Sequence, residues 1–144
     1  AIAHATRDKR LLSLLFIDLD NFKTVNDTLG HNIGDQLIQQ TATKIQSVIR
    51  QGDTVARFGG DEFVVLLFEP ENEDYITNIA QRISQEVAMS YTHKGRVIDV
   101  GSSIGIAVFP KDGETTETLL MNSDRAMYQA KASNKGGISL FKGD

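Results

Sequence analysis

The fold of this chain is decided by residues 54–68, which read Thr54-Val55-Ala56-Arg57-Phe58-Gly59-Gly60-Asp61-Glu62-Phe63-Val64-Val65-Leu66-Leu67-Phe68. Two apolar runs of strand-forming residues flank a pair of glycines, which predicts a tight hairpin with both glycines at positive φ. Asp61 and Glu62 are poor strand formers, so their position where the second strand begins points to chemistry. The missing side chains of Gly59 and Gly60 would also let a phosphate approach the backbone closely. An ordinary glycine turn is the alternative interpretation.

A second acidic cluster follows residues 11–17, an apolar run typical of a strand buried on both faces. The run ends in Asp18-Leu19-Asp20, and residues two apart in a strand point to the same face. Asp20 has a simpler interpretation, as the cap of a helix predicted for residues 21–29. Asp18, near the end of a buried strand, needs a partner or a metal ion, because burying a carboxylate alone is costly.

Asp18, Asp61 and Glu62 together would form the oxygen-rich corner that Mg²⁺ prefers. A zinc or soft-metal site is disfavoured, because the chain has no Cys and only three His.

Composition fits a single globular domain. The chain has 144 residues, of which 40% are hydrophobic, enough for one core. No stretch is long enough to span a membrane and the N-terminus has no signal peptide, so we expect no membrane contact by this domain. A net charge of −4 argues against a polymeric nucleic-acid partner, which normally needs a basic face.

Hydrophobic periodicity predicts helices over residues 21–29, 33–49, 71–90 and 116–132. Strands are predicted over residues 11–17, 54–58, 63–68 and 138–141, with two more on either side of Gly101 within residues 96–109. Counting the three long helices and leaving out the short one over residues 21–29, the order is β, α, β, β, α, β, β, α, β, which is typical of an α+β fold and favours a ferredoxin-like core. We therefore expect a mostly antiparallel central sheet flanked by helices.

Several motifs run along almost the whole chain in a fixed order. They are Phe16-Ile17-Asp18-Leu19-Asp20-Asn21-Phe22-Lys23, Asn26-Asp27, Gly30-His31, Gly34-Asp35, Arg57-Phe58-Gly59-Gly60-Asp61-Glu62-Phe63, Ser103-Ile104-Gly105-Ile106-Ala107 and Asp124-Arg125-Ala126-Met127-Tyr128-Gln129-Ala130-Lys131. Together they closely resemble the GGDEF family of diguanylate cyclases, far more specifically than one short motif would. The resemblance implies a fold similar to the polymerase palm and the class III nucleotidyl cyclases. It also implies an enzyme that condenses two GTP molecules into cyclic di-GMP and two pyrophosphates.

The resemblance implies that residues 1–144 form one GGDEF domain. Catalysis would need a homodimer, because each domain holds one GTP and the reaction joins two. GTP as the substrate points to the cytoplasm. The family's D-x-L-T-G-L-x-N-R segment before the first strand is absent, so we expect a fragment of a longer multidomain signalling protein. Segments outside this chain would then supply any membrane anchor of the parent protein.

The resemblance also implies roles for the acidic residues. Asp18 and Asp61, with the carbonyl of Leu19, match the family's ligands for two Mg²⁺ ions per active site, with Mn²⁺ as the alternative cation. Glu62 matches the residue that assists deprotonation of the ribose 3′-hydroxyl, and Lys23 matches a charge-stabilising lysine. In a regular strand Asp61 and Glu62 would point to opposite faces, so both serve one site only if the turn twists them.

Substrate-binding residues follow from the same resemblance. Phe22 and Lys23 begin a helix whose N–H groups can meet the β- and γ-phosphates. Asn26 and Asp35 match the pair that hydrogen-bonds guanine. His31 matches a position near the substrate, with a surface residue at a helix entry as an equally good interpretation.

Two lysines complete the predicted phosphate site. Lys131 and Lys135 lie at i and i+4, so they share a helix face, and they match the family's phosphate-binding lysine and arginine. Lys135 departs from the family pattern, because a lysine lacks the bidentate guanidinium geometry.

A regulatory site is implied just before the hairpin. Arg50-Gln51-Gly52-Asp53 matches the family's R-x-x-D site, at which cyclic di-GMP inhibits the enzyme. A helix end followed by a Gly-Asp turn is the alternative interpretation. Three functions therefore remain open: an active cyclase, a silent GTP-binding module that controls a neighbouring domain, and a cyclic-di-GMP receptor that acts through Arg50 and Asp53 alone.

Overall fold

A computed structural model describes residues 10–134 and 137–143. The elements in chain order are β1 (Leu12–Asp20), α1 (Phe22–Leu29), α2 (His31–Val48), β2 (Thr54–Arg57), β3 (Glu62–Phe68), α3 (Glu73–Val87), β4 (Met89–His93), β5 (Arg96–Phe109), α4 (Thr116–Asn134) and β6 (Ile138–Leu140). No helix within these residues is both long enough and apolar enough to cross a bilayer.

The strands form one sheet in the order β2-β3-β1-β5-β4, with β6 paired to β5. Every pairing is antiparallel except that of β6, which runs parallel to β5. β1 lies between β3 and β5, so Asp18 is opposite Glu62 on one side and Ser103 on the other. The fold is α+β with a mixed sheet, and the predicted fold class is confirmed.

The alternation of side chains along β1 separates the two layers of the domain. Odd-numbered residues, such as Leu15 and Ile17, belong to the large core formed with α1, α2 and α3. Even-numbered residues, such as Leu12 and Leu14, belong to a second cluster that includes Leu119 of α4. Asp18 and Asp20 have even numbers, so their side chains face the layer that contains α4.

Two sequence predictions about the middle of the chain are wrong. The helix predicted over residues 71–90 ends at Val87, and Met89–His93 form strand β4, because Met89 and Tyr91 pack against the large core. The two strands predicted around Gly101 are one continuous strand, β5, paired with both β4 and β1. β4 pairs with residues 96–100 of β5 and β1 with residues 101–109, so the pairing passes from one neighbour to the other at the glycine.

The close approach of α4 to the sheet depends on Gly105. A β-carbon at this position of β5 would overlap the backbone oxygen of Ser123 and the backbone nitrogen of Met127, both in α4. Only a residue without a side chain therefore lets the helix axis lie this near to β5.

We predict that Gly105→Ala destabilises the domain, because the backbone of α4 must move away from the sheet. The loss should be roughly 1–3 kcal/mol of unfolding free energy, the usual range for overpacking. Urea denaturation followed by circular dichroism measures it. Gly52→Ala is the matched control, because a β-carbon at Gly52 meets no atom within 4 Å. Equal stability of the two variants would contradict this description of the α4 contact.

Candidate active site

Two aspartates at the end of β1 share one lysine of α4. Asp18, whose residue surface is 8% exposed, accepts a hydrogen bond from the ammonium of Lys131 through its Oδ2 atom. The same ammonium lies 3.9 Å from Oδ1 of Asp20. Asp20 also accepts from the hydroxyl of Ser103, at 3.0 Å and 3.2 Å to its two oxygens. The end of β1 therefore carries a compact acidic pair with a cation held against it.

Asp20 does not cap the following helix. Asn21 stands at the N-cap of α1 with a φ of 68°, and its side chain makes no capping hydrogen bond. The side-chain amide of Asn21 instead donates to the backbone oxygen of Asp99, at 2.7 Å. The first N–H groups of α1 have no hydrogen-bond acceptor within the helix, as in any helix. The side chain of the N-cap residue, Asn21, does not accept from them either. They remain available to an anion.

The turn between β2 and β3 differs from the predicted two-residue hairpin. The last paired residues are Arg57 and Phe63, and neither Gly59 nor Gly60 is among the described glycines that have positive φ. The amide of Phe58 donates to the oxygen of Glu62 at 2.7 Å, which closes a wider turn. A longer loop does not need the two left-handed residues of a two-residue hairpin. The two-residue turn occurs instead between β4 and β5, where Lys94 and Gly95 both have positive φ.

Arg57 holds this wider turn in shape, a role that sequence reasoning missed. Its guanidinium donates to the backbone oxygen of Gly59 at 3.1 Å and to that of Gly60 at 2.7 Å. The available signal was an arginine at the last position of a strand, directly before a turn rich in free carbonyl groups.

Glu62 reaches the aspartates through strand register. It is the cross-strand partner of Asp18, and such partners lie on the same face of a sheet. Its side chain folds back over the turn and lies against Gly59, where a β-carbon would overlap Oε1 of Glu62. Gly59 is thus needed for room, whereas a β-carbon on Gly60 would meet no atom within 4 Å.

Asp61 belongs to the turn and not to β3, so strand alternation does not fix its side chain. Its backbone oxygen accepts from the amide of Leu19 at 3.0 Å, which ties the turn to β1. Burial and the nearby negative charge of Asp18 raise the pKa of Asp61 to about 6. Asp61 and Glu62 therefore both lie beside Asp18, one through the turn and the other through register.

The site has an excess of negative charge. Burial and then the charges of Asp18 and Asp124 raise the pKa of Glu62. Burial and the charge of Asp18 also raise the pKa of Asp124, which lies on α4. Asp124 was not predicted as a site residue, although it begins one of the quoted motifs. Asp18 and Asp20 thus share the ammonium of Lys131, while Asp61, Glu62 and Asp124 add negative charge near Asp18.

These residues fit a divalent cation. Oδ1 of Asp18 is buried and has no hydrogen-bond partner, so one hard oxygen atom of the site is unsatisfied. The carbonyl of Leu19 projects from the same strand edge as its amide, toward the turn that contains Asp61. Within residues 10–134 and 137–143, however, no three side chains of His, Cys, Asp or Glu are grouped to hold a metal ion. The available set is two carboxylates and a backbone carbonyl.

The predicted guanine residues lie on adjacent helices. A β-carbon on the buried Gly34 of α2 would overlap Oδ1 of Asn26, which belongs to α1. The amide group of Asn26 therefore rests on α2 at Gly34, the residue before Asp35, whose side chain is exposed. His31, the first residue of α2, is also exposed. Gly34 is a further residue that sequence reasoning did not assign to the site.

The remaining predicted phosphate residues flank the start of α1. Phe22 is half-buried against the large core, and Lys23 is exposed to solvent. Lys135 lies outside the described residues. A cavity of about 660 Å³ opens beside Lys131 and Asp20 and continues along β4 and β5 to Ser90 and Asp99.

Arg50 and Asp53 lie at the other end of β3 from Glu62. The Asp53 side chain is only 2% exposed and accepts from the amides of Arg50, at 3.1 Å, and Phe68, at 2.9 Å. The guanidinium of Arg50 donates to Glu71 at 2.8 Å and lies 4.7 Å from the ring centre of Tyr75. Asp53 thus closes the loop after α2, as the alternative interpretation expected, and Arg50 already has acidic and aromatic partners.

Comparison with known proteins decides the family. The family model described as "Diguanylate cyclase, GGDEF domain" matches residues 1–136. The chain belongs to the GGDEF family. It is 42% identical, over 142 residues, to the bifunctional diguanylate cyclase/cyclic di-GMP phosphodiesterase MucR of Pseudomonas aeruginosa. That match covers 99% of this chain and 21% of the relative, so the chain spans about a fifth of that relative's length.

Solved GGDEF domains share the fold. The GGDEF domain of YfiN from Pseudomonas aeruginosa has a TM-score of 0.91 and 35% identity, over 99% of this chain and 89% of that one. The GGDEF domain of DgcB from Caulobacter crescentus, solved in complex with cyclic di-GMP, has a TM-score of 0.83 and 27% identity, over 98% and 84% of the two chains. The recognition of this GGDEF domain from its sequence is confirmed.

Proposed function

We propose that this GGDEF domain, residues 1–144 of a longer cytoplasmic signalling protein, is a diguanylate cyclase. It condenses two GTP molecules into cyclic di-GMP and releases two pyrophosphates. The observation that carries this proposal is the meeting of Asp18, Asp61 and Glu62 where β1 joins the turn before β3. A domain that only binds a nucleotide has no use for three carboxylates crowded at one point.

Asp18, Asp61 and the carbonyl of Leu19 are the proposed ligands for Mg²⁺, with Mn²⁺ as the alternative and two ions in each active site. Divalent cations supply charge stabilisation of the attacking and leaving oxygens in phosphoryl transfer. The unsatisfied Oδ1 atom of Asp18 supports this assignment.

Glu62 is the proposed base. A carboxylate with a raised pKa is a better proton acceptor near neutral pH, and burial beside other carboxylates raises the pKa of Glu62. It takes the proton of the ribose 3′-hydroxyl as that oxygen attacks the α-phosphorus of the second GTP. The bond between the α-phosphorus and the bridging oxygen breaks, and pyrophosphate leaves.

The start of α1 and two lysines are the proposed phosphate site. The uncapped N–H groups at Phe22 and Lys23 can donate to phosphate oxygens, and the open surface at Gly60 leaves room for them. Lys131 would add positive charge beside Asp18, and the family resemblance assigns Lys135 the same role. The exposed Lys23 would stabilise charge that develops on the leaving group.

Asn26 and Asp35 are the proposed guanine contacts. The carboxylate of Asp35 can accept from N1–H and N2–H of guanine, and the amide of Asn26 can donate to and accept from the purine edge. Their position on adjacent helices supports a single binding groove, with His31 at its rim. Each domain then holds one GTP, so the reaction requires two domains that face each other in a homodimer.

A GTP-binding module without turnover is the second candidate. The ion pair between Lys131 and Asp18 favours it, because a cation already occupies one of the proposed metal ligands. The two candidates differ in whether bound GTP is converted.

The deciding experiment incubates the concentrated domain with GTP and Mg²⁺ and separates the nucleotides by chromatography. We expect cyclic di-GMP with two equivalents of pyrophosphate. Glu62→Gln should lower the rate by roughly 10²–10⁴, the usual contribution of a general base. Glu114→Gln, at an exposed loop position, is the control for a lost carboxylate. GTP that is bound but unconverted would support the regulatory module and contradict the cyclase assignment.

Gly34→Ala should weaken GTP binding without unfolding the domain. The added methyl group displaces the amide of Asn26, which can move because it is the end of a flexible side chain. We expect roughly a tenfold loss of GTP affinity, about the value of one hydrogen bond. Isothermal titration with GTP measures it. The double variant Asn26→Ala/Gly34→Ala should be no weaker than Asn26→Ala alone, and additive losses would contradict the assigned role of Gly34.

Arg50 and Asp53 are proposed to bind cyclic di-GMP and to inhibit turnover. The solved DgcB complex shows that a GGDEF domain can bind this dinucleotide. We expect the rate of the wild-type domain to fall as product accumulates and that of Arg50→Ala to fall much less. Progress curves with added cyclic di-GMP measure the effect, with Arg96→Ala as an exposed-arginine control. Undiminished inhibition of Arg50→Ala would remove Arg50 from the regulatory site.

A further inference from the structure

Lys131 already holds the position of a cation at the acidic corner. Its ammonium contacts Oδ2 of Asp18 and lies 3.9 Å from Oδ1 of Asp20. Within residues 10–134 and 137–143, both aspartates thus pair with the same lysine. The other oxygen of Asp18 is buried and unpartnered. The ammonium of Lys131 thus pairs with one of the two carboxylate oxygens of Asp18, which is also a proposed metal ligand.

We propose that Lys131 is an internal counter-ion of Asp18 in the metal-free domain. Its ammonium must release Asp18 when a divalent cation and nucleotide bind. The inference rests on the proposed function, because that function makes Asp18 a metal ligand. It assigns Lys131 a role before catalysis in addition to phosphate binding.

Charge is the first reason for this exchange. An ammonium in contact with Oδ2 neutralises Asp18 and repels a second cation at the same oxygen. Without Lys131, the buried carboxylate would lack a counter-charge, and a divalent cation would be the natural replacement. The lysine therefore stabilises Asp18 in the metal-free domain and weakens metal binding.

The second reason is that the lysine side chain can move while its helix stays in place. α4 is fixed against β5 by the close contact at Gly105, so a shift of the helix would disturb the core. Lys131 carries its charge on a flexible four-carbon stem and its side chain is 36% exposed. The ammonium can therefore rotate toward a phosphate of bound GTP without movement of the backbone.

Metal and nucleotide binding should consequently be coupled. Phosphate oxygens give the released ammonium a new partner, so nucleotide favours the state in which Asp18 is free. By linkage, a bound cation strengthens nucleotide binding by the same factor. In the absence of nucleotide, the lysine competes with the metal.

The test measures metal binding alone, without nucleotide or turnover. Mn²⁺ is titrated into the nucleotide-free domain, and free Mn²⁺ is followed by its electron paramagnetic resonance signal. We expect Lys131→Met to bind Mn²⁺ about fivefold or more tightly than wild type, the lower end of typical coupling. Lys131→Arg keeps the charge and should stay as weak as wild type. Lys44→Met, on α2 at the other face of the sheet, controls for loss of one positive charge.

Equal or weaker Mn²⁺ binding by a folded Lys131→Met variant would overturn the inference. If no variant binds Mn²⁺, the metal site itself fails, and the proposed function fails with it. If all variants bind Mn²⁺ equally, only the role of Lys131 is lost.

A second measurement covers the case in which Lys131→Met unfolds. Nitrogen-15 NMR of the wild-type lysine ammonium groups, assigned by comparison with Lys131→Arg, reports the Lys131–Asp18 contact directly. Addition of Mg²⁺ and GTP together should shift the Lys131 signal, and Mg²⁺ alone should shift it only at much higher concentration. An unchanged signal at saturation would overturn the exchange.

Discussion

The pairing register between β1 and β3 is the constraint on which the rest of the site depends. It sets Asp18 opposite Glu62, and the next backbone contact, from the amide of Leu19 to the oxygen of Asp61, brings the turn alongside. A slip by one residue would move every side chain of β1 to the other face and take Asp18 away from α4. The apolar side chains of β1 are buried on both faces, so such a slip would expose core residues on both. The core therefore protects the position of the carboxylates.

The same register creates an electrostatic problem that the fold only partly solves. Asp18, Asp61, Glu62 and Asp124 crowd one region, and burial combined with mutual repulsion raises the pKa values of the last three. Lys131 offsets part of this charge, and the pKa of Lys131 is raised by Asp18 despite its own burial. Unfavourable local electrostatics of this kind are typical of sites that await a cation or a charged transition state. The strands that carry the site are stabilised by apolar packing elsewhere.

Sequence reasoning predicted most of the fold because the signals were strong and local. Continuous apolar runs indicated the buried strands, and amphipathic patterns indicated the long helices. β4 was missed, because the helical pattern of polar and apolar residues in α3 extends into its first residues. Sequence reasoning grouped Asp18 with Asp61 and Glu62, but it could not reveal the other side-chain contacts between elements far apart in the chain. The pairing of Lys131 with Asp18 spans 113 positions in the chain, and the contacts of Arg50 with Glu71 and Tyr75 depend on where α3 packs. The role of Arg57 depends on the exact path of a turn that was predicted to be shorter.

The glycines show most clearly why the predicted turn was wrong. Sequence reasoning assigned Gly59 and Gly60 to positive φ, because glycine is the usual residue there. In the structure, the hairpin that uses positive φ is Lys94-Gly95, where one of the two residues is not glycine. Gly59, Gly34 and Gly105 instead leave room for Glu62, for Asn26 and for α4 with its Lys131. These three glycines thus allow the proposed base, the proposed guanine contact and the helix that carries Lys131 to pack closely against their neighbours. At each position, the absence of a side chain matters because it leaves space.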